Sequence, residues 1–218
     1  MLFGEDPINI ILAIPAILLA FTFHEFAHAI VADRLGDRTP RFQGRITLNP
    51  VAHIDPLGFI LFVIARFGWA KPVQVNRTAF KNYYKDDIKV SVAGPVANLI
   101  IAVVFVPIAL LYVKYFYYRI EPNNLYDIIE RIIAFVPEYN VLLFFLNLMP
   151  IPGFDGYHIL SDLFPSTFNK LNYKIGNYQM IIMILFIATP IAGYLIYGPA
   201  DWTLNNLYSV FINIIKPI

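Results

Sequence analysis

PINIILAIPAILLAFTFHEFAHAIVA, residues 7–32, decides how the rest of the chain is read. A bilayer's hydrocarbon core is about 30 Å thick and needs about 20 mostly apolar residues in helical form to cross it. This stretch supplies them, and Gly36 just beyond it is a natural helix stop. Pro15 lies inside the helix, where membrane helices tolerate proline. The stretch also holds His24, Glu25 and His28 within five positions. One ionisable side chain at the centre of a bilayer costs about 2.5–3.5 kcal/mol on translocon-type scales. Three would burden a purely structural helix, and metal coordination offsets that cost.

The three residues form a His-Glu-x-x-His motif. Positions i and i+4 share one helix face, so two imidazoles grip one ion without any loop closure. Glu25, one residue on, is placed to serve a metal-activated water as general base, the arrangement of metalloproteases. His28 lies within two turns of the helix end, which puts the ion roughly 6–12 Å below the membrane surface.

The whole composition agrees with a membrane protein. Of 218 residues, 58% are hydrophobic and 14% charged, against about 45–50% and about 25% in soluble domains. The expectation is one membrane-embedded domain over residues 1–218, with a core at 7–160 and C-terminal helices at 175–218. Its fold class is an all-α polytopic membrane protein. It has about four to six transmembrane or re-entrant helices and a small β element on the cytoplasmic side. Acidic Glu5 and Asp6, not a basic segment, precede the first apolar run, so that run is expected to stay in the mature protein. Cysteine is absent, which leaves nitrogen and oxygen as the only metal ligands. A formal net charge of +1 argues against a nucleic-acid partner.

Further spans are expected in 88–118 and 128–149, with a fourth at 177–197 broken at Pro190 and Gly193. The end, 202–218, reads as an amphipathic surface helix. The apolar run at 57–67 is too short to cross and suits a re-entrant segment. Residues Arg41 to Leu48 alternate polar and apolar, a strand pattern, and Trp69 to Asn76 looks like a second extended piece. Ten of the 16 Lys and Arg residues fall between Arg34 and Lys89. Five acids lie between Asp33 and Lys89, a balance of +5. Loops rich in Lys and Arg stay cytoplasmic, so the N-terminus is expected outside and the active site toward the cytoplasm.

A catalytic zinc needs a third protein ligand and an open position. The candidates are His53, Asp155, His158 and the remaining acids. Asp155 stands out because it follows a Pro/Gly break, Asn147-Leu-Met-Pro150-Ile-Pro152-Gly153-Phe-Asp155-Gly156, at the cytoplasmic end of the third span.

His24-Glu25-x-x-His28 on an early membrane helix, with Asn147-x-x-Pro150 and Asp155-Gly156 on a later one, resembles the site-2 protease family, peptidase family M50. Ser91-Val-Ala93-Gly94-Pro95-Val-Ala97-Asn98 resembles the small-residue segment of that family's middle core helix. Leu48-Asn49-Pro50-x-x-His53-x-Asp55-Pro56-x-Gly58 resembles its compact prokaryotic members. The resemblance implies an intramembrane zinc metalloprotease of the plasma membrane. It would cleave a peptide bond in or near the transmembrane segment of a membrane protein or peptide, as in regulated intramembrane proteolysis. One Zn2+ would be held by His24, His28 and Asp155, with Glu25 as general base and acid. Where such proteins often carry a basic residue after the Asp-Gly pair, this chain has His158.

Asn98, among small residues, is a candidate for a substrate or oxyanion hydrogen bond or for an interhelical one. Asn147 is a candidate to orient the Asp155 loop or bind substrate backbone. His53 reads as a loop clamp, a supporting contact or a substrate contact, since nothing in its spacing demands a metal. The Arg41–Leu48 strand is expected to pair with an unwound substrate. Two rival readings are a metal-ion transporter, which would spread ligands across the bilayer, and an inactive helix-binding scaffold, which leaves Glu25 unexplained. The sequence leaves the oligomeric state open.

Overall fold

The computed structural model describes residues 7–65, 68–116 and 124–215. The outer ends of several expected segments, at 66–67, 117–118 and 216–218, fall outside the described residues. Helix α1 spans Pro7–Arg34. It stops where Gly36 turns to φ +113° and the Asp37 N–H reaches back to the Ala32 carbonyl at 3.0 Å, a glycine-centred C-terminal lock. Short α3 (Pro56–Ala65) is ten residues long, about 15 Å, half the depth of a bilayer. That is too short to cross one.

The long helix is α4, Tyr83–Phe116, with Pro95 and Pro107 inside it. Asp86 in its first turn accepts from the Asn82 N–H at 2.9 Å and pairs with Lys89 at 2.7 Å, which suits an anion at a helix N-terminus. Helix α5 spans Asn124–Asn147. Helices α6 (Asp155–Leu163) and α7 (Pro165–Ile175) lead through a single turn to α8 (Gln179–Ala188) and α9 (Pro190–Ile215).

Two described helices, α1 and α4, are long and apolar enough to cross a membrane, and the pair α7–α8 with α9, bent by 65°, makes up to three. Helix α5 has the length, but Asp127, Glu130, Arg131 and Glu138 leave no long uncharged stretch. The break of the fourth expected span lies at Thr189–Pro190. From there α9 runs unbroken to Ile215, so 202–215 continues a packed helix and is not a separate surface one.

Helix α4 is the spine. Ile10, Ala13 and Ile17 of α1, Phe62 of α3, Ile101 of α4, and Val136 and Tyr139 of α5 form one buried cluster. Ala102, Val141, Leu142, Ala192, Ile196 and Ala200 join α4, α5 and α9 in a second. A third, small cluster (Ala32, Phe80, Val90) sits where the polar loops meet the helices.

The small β element is not found among the described residues. Pro40 starts a helical turn, α2 (Thr39–Phe42), and Gly44 at φ +66° ends it. Arg45, a polar position of that alternation, turns inward and is buried. Its guanidinium lies on the carbonyls of Ala52, Lys71 and Pro72. Phe42 and Leu48, apolar positions of the same alternation, are exposed. Tertiary hydrogen bonding thus overrides the alternation. The piece from Trp69 to Asn76 is extended but pairs at one point, an antiparallel bridge between Ile54 and Ala70.

Candidate metal centre

His24 and His28 lie one turn apart on α1, both buried, with ring centroids 4.6 Å apart at 83°. Their Nε2 atoms are 3.0 Å apart. Asp155, the first residue of α6, brings Oδ2 to 3.3 Å from His24 Nε2 and 3.4 Å from His28 Nε2. These three residues form the one group of potential metal ligands among the described residues.

The carboxylate reaches this point because the chain breaks sharply after α5. Gly153 takes φ +99°. A Cβ on Gly156 would collide with the Leu148 carbonyl and lie 2.7 Å from that of Met149. Glycine therefore lets α6 begin against the end of α5. Arg77 fastens α6 from the other side. Its guanidinium pairs with Asp87 of α4 at 2.7 Å and with Asp162 of α6, and stacks over the Tyr83 ring at 4.8 Å.

The site fits zinc on three observations. First, a tetrahedral ion with bonds of about 2.0–2.1 Å sets its ligand atoms roughly 3.3–3.4 Å apart. The observed edges are 3.0, 3.3 and 3.4 Å. Second, Asp155 Oδ2 is buried, faces two imidazoles and makes no hydrogen bond. Third, a Cβ on Gly94 of α4 would lie 2.6 Å from His24 Cε1 and collide with His28 Nε2, so only glycine leaves this cradle open. His28 Nδ1 sits 2.7 Å from the Val90 carbonyl. A carbonyl only accepts, so Nδ1 carries the proton and Nε2 keeps its lone pair for a metal.

Glu25 is buried beside the trio, and its Oε2 accepts from the Val73 N–H at 2.8 Å. The extended segment after Trp69 thus holds this carboxylate. Asn98 of α4 is fully buried, with Oδ1 2.7 Å from His24 Nδ1. Asn147 bonds back to the Leu143 carbonyl at 3.0 Å on its own helix. His53 is buried away from the trio. Its Nε2 donates to the Thr47 carbonyl at 2.8 Å, and its own carbonyl accepts from Lys71 N–H at 2.9 Å. This joins the loop before α3 to the segment that holds Glu25. His158 is exposed on α6 and outside the ligand group.

Four contributors escaped the sequence reading: Arg45, Arg77, Asn140 and Asp162. The one sequence signal for Asn140 is an amide inside an otherwise apolar stretch. Arg45, Arg77 and Asp162 each have a partner at least 26 residues away in the chain, and no spacing announces it.

Comparison with known proteins agrees with this geometry. The profile of peptidase family M50 matches residues 12–189. YwhC of Bacillus subtilis, named as a candidate zinc metalloprotease, is 36% identical over 202 residues, covering 93% of this chain and 91% of that protein. Rip2 of Mycolicibacterium smegmatis, named likewise, is 32% identical over 186 residues, covering 83% and 68%. MJ0611 of Methanocaldococcus jannaschii, again so named, is 26% identical over 192 residues, covering 86% and 80%. No solved structure matches. With the family profile covering most of its length, the chain belongs to peptidase family M50, the site-2 protease family of membrane zinc metallopeptidases.

Proposed function

We propose that this protein hydrolyses a peptide bond in or near a transmembrane segment of membrane protein substrates. In this reading His24, His28 and Asp155 hold one zinc ion, and Glu25 is the general base and acid. The observation that carries the reading is the convergence of one carboxylate oxygen from α6 on two Nε2 atoms of α1, a helix that is apolar enough to cross a bilayer. When bound there, zinc supplies Lewis acidity, lowering the pKa of a coordinated water to about 7 and polarising a carbonyl.

The protein's own groups do the rest. Glu25, one residue from His24, takes a proton at its carboxylate and later delivers it to the leaving amine. The Val73 N–H holds that carboxylate in place. The two imidazoles are buried and Asp155 is largely so, among helices α1, α4 and α6. A substrate helix must unwind locally, because its carbonyls are otherwise engaged within the helix. The basic region 34–89 supports a cytoplasmic placement of the site in the plasma membrane.

Glu25→Gln is the decisive variant. It keeps the shape and the ligands and removes the base. Expected are full zinc occupancy and a loss of cleavage of a single-pass substrate by at least about 100-fold. Undiminished cleavage by pure Glu25→Gln protein would remove Glu25 from this role.

A further inference from the structure

We propose that the buried amides of Asn98 and Asn140 form a three-helix relay that sets the tautomer of His24. Both asparagines are then positioning residues for the metal, an inference that rests on the zinc reading above. Two backbone carbonyls, which can only accept, fix the direction of the relay. Asn140 of α5 and Asn98 of α4 are both fully buried. Asn140 Nδ2 donates to the Val136 carbonyl at 2.8 Å. Its Oδ1 therefore faces the other way, and it accepts from Asn98 Nδ2 at 2.9 Å. That same Nδ2 spends its second hydrogen on the Ala20 carbonyl of α1 at 3.1 Å.

Reversing either amide would set oxygen against oxygen in a site that water does not reach. Each such clash leaves a buried acceptor unsatisfied, at about 1–3 kcal/mol. The chain of bonds therefore has one direction. Asn98 must turn Oδ1 toward His24, and it does so at 2.7 Å from Nδ1. An acceptor there requires the proton of His24 on Nδ1. The lone pair is then on Nε2, the atom that faces Asp155 and His28. His28 obtains the same result from a single carbonyl, that of Val90. His24 has no carbonyl at that position and obtains it through two side chains anchored on Val136 and Ala20. Both hydrogens of the Asn98 amide are engaged, so its task here is orientation and not donation to substrate.

The test is zinc affinity, measured on the full-length protein in detergent micelles by competition with a chromophoric chelator. Cobalt absorption reports the ligand set in parallel. Removing a group that orients a metal-bound histidine typically costs about 10- to 100-fold in affinity. Asn98→Leu is expected to fall in that range and to alter the cobalt spectrum. Asn140→Leu leaves the Ala20 bond intact and should weaken zinc by at least about threefold, toward the lower end of such effects. Asn98→Asp keeps an oxygen facing Nδ1 but sets its other oxygen against the Ala20 carbonyl and Asn140 Oδ1, so it should bind zinc more tightly than Asn98→Leu while melting below the wild type. Wild-type affinity with an unchanged cobalt spectrum in either leucine variant overturns the relay. So does a folded Asn98→Asp protein that binds zinc no better than Asn98→Leu. If Asn98→Leu does not fold, Asn140→Leu decides alone. Wild-type protein that binds no zinc would instead sink the metal reading, so the two failures are distinguishable.

Discussion

Gly94 shows how a missing side chain makes a site. One methyl group on α4 would occupy the space that the imidazoles of His24 and His28 share. Gly94→Ala is therefore expected to cut zinc affinity at least about tenfold. It should also cost about 1–3 kcal/mol of stability from overpacking. Metal content by atomic absorption and melting in detergent test the two effects separately. Full zinc content in Gly94→Ala would show that the cradle tolerates a Cβ. Asp155 gives the complementary case. Its Oδ2 is buried with two imidazole nitrogens as its neighbours and makes no hydrogen bond. Asp155→Asn keeps the volume and loses the negative ligand, so zinc should dissociate readily while the fold persists. An unchanged chelator titration would exclude Asp155 as a ligand.

Helix α6 carries Asp155, the third proposed ligand, yet α1 carries the two imidazoles, and nothing in either helix specifies their distance. The ion-pair cluster around Arg77 supplies that link. It joins α4 through Asp87 and α6 through Asp162, both buried. Removing the cation strands two carboxylates in a poorly solvated place, and breaking such a pair costs about 3–5 kcal/mol. Because Arg77 is partly exposed, Arg77→Met should fall near the low end, about 3 kcal/mol. The expected readouts are an earlier unfolding transition in detergent and weaker zinc binding, since α6 loses its hold on Asp155. A variant that melts and binds zinc like the wild type would show that packing alone seats α6. The segment from Trp69 to Asn76 has a comparable duty, holding Glu25 through the Val73 N–H, and its anchors are the buried Arg45 and His53.

Across the whole molecule, orientation in the membrane is the open physical quantity, and the chain offers a clean assay because it contains no cysteine. Lys81 is exposed within the basic region. A membrane-impermeant maleimide should label Lys81→Cys in inside-out vesicles and spare it in intact cells. Labelling from outside would reverse the proposed topology. The first apolar helix and the two imidazoles on one face of it were legible from residues 7–32, because helical periodicity and bilayer thickness are local rules. Asp155 was legible as a candidate from its Pro/Gly break. The strand at 41–48 was misread for the converse reason. Alternation is also local, and here it lost to Pro40, to Gly44 and to a guanidinium drawn inward by three carbonyls 7, 26 and 27 residues away. Chain order and periodicity thus determine which residues share a helix face. Distances between helices, the direction of a buried amide chain and the fit of a carboxylate to two imidazoles depend on contacts 40 to 130 residues apart in the chain. Only packing in three dimensions decides those.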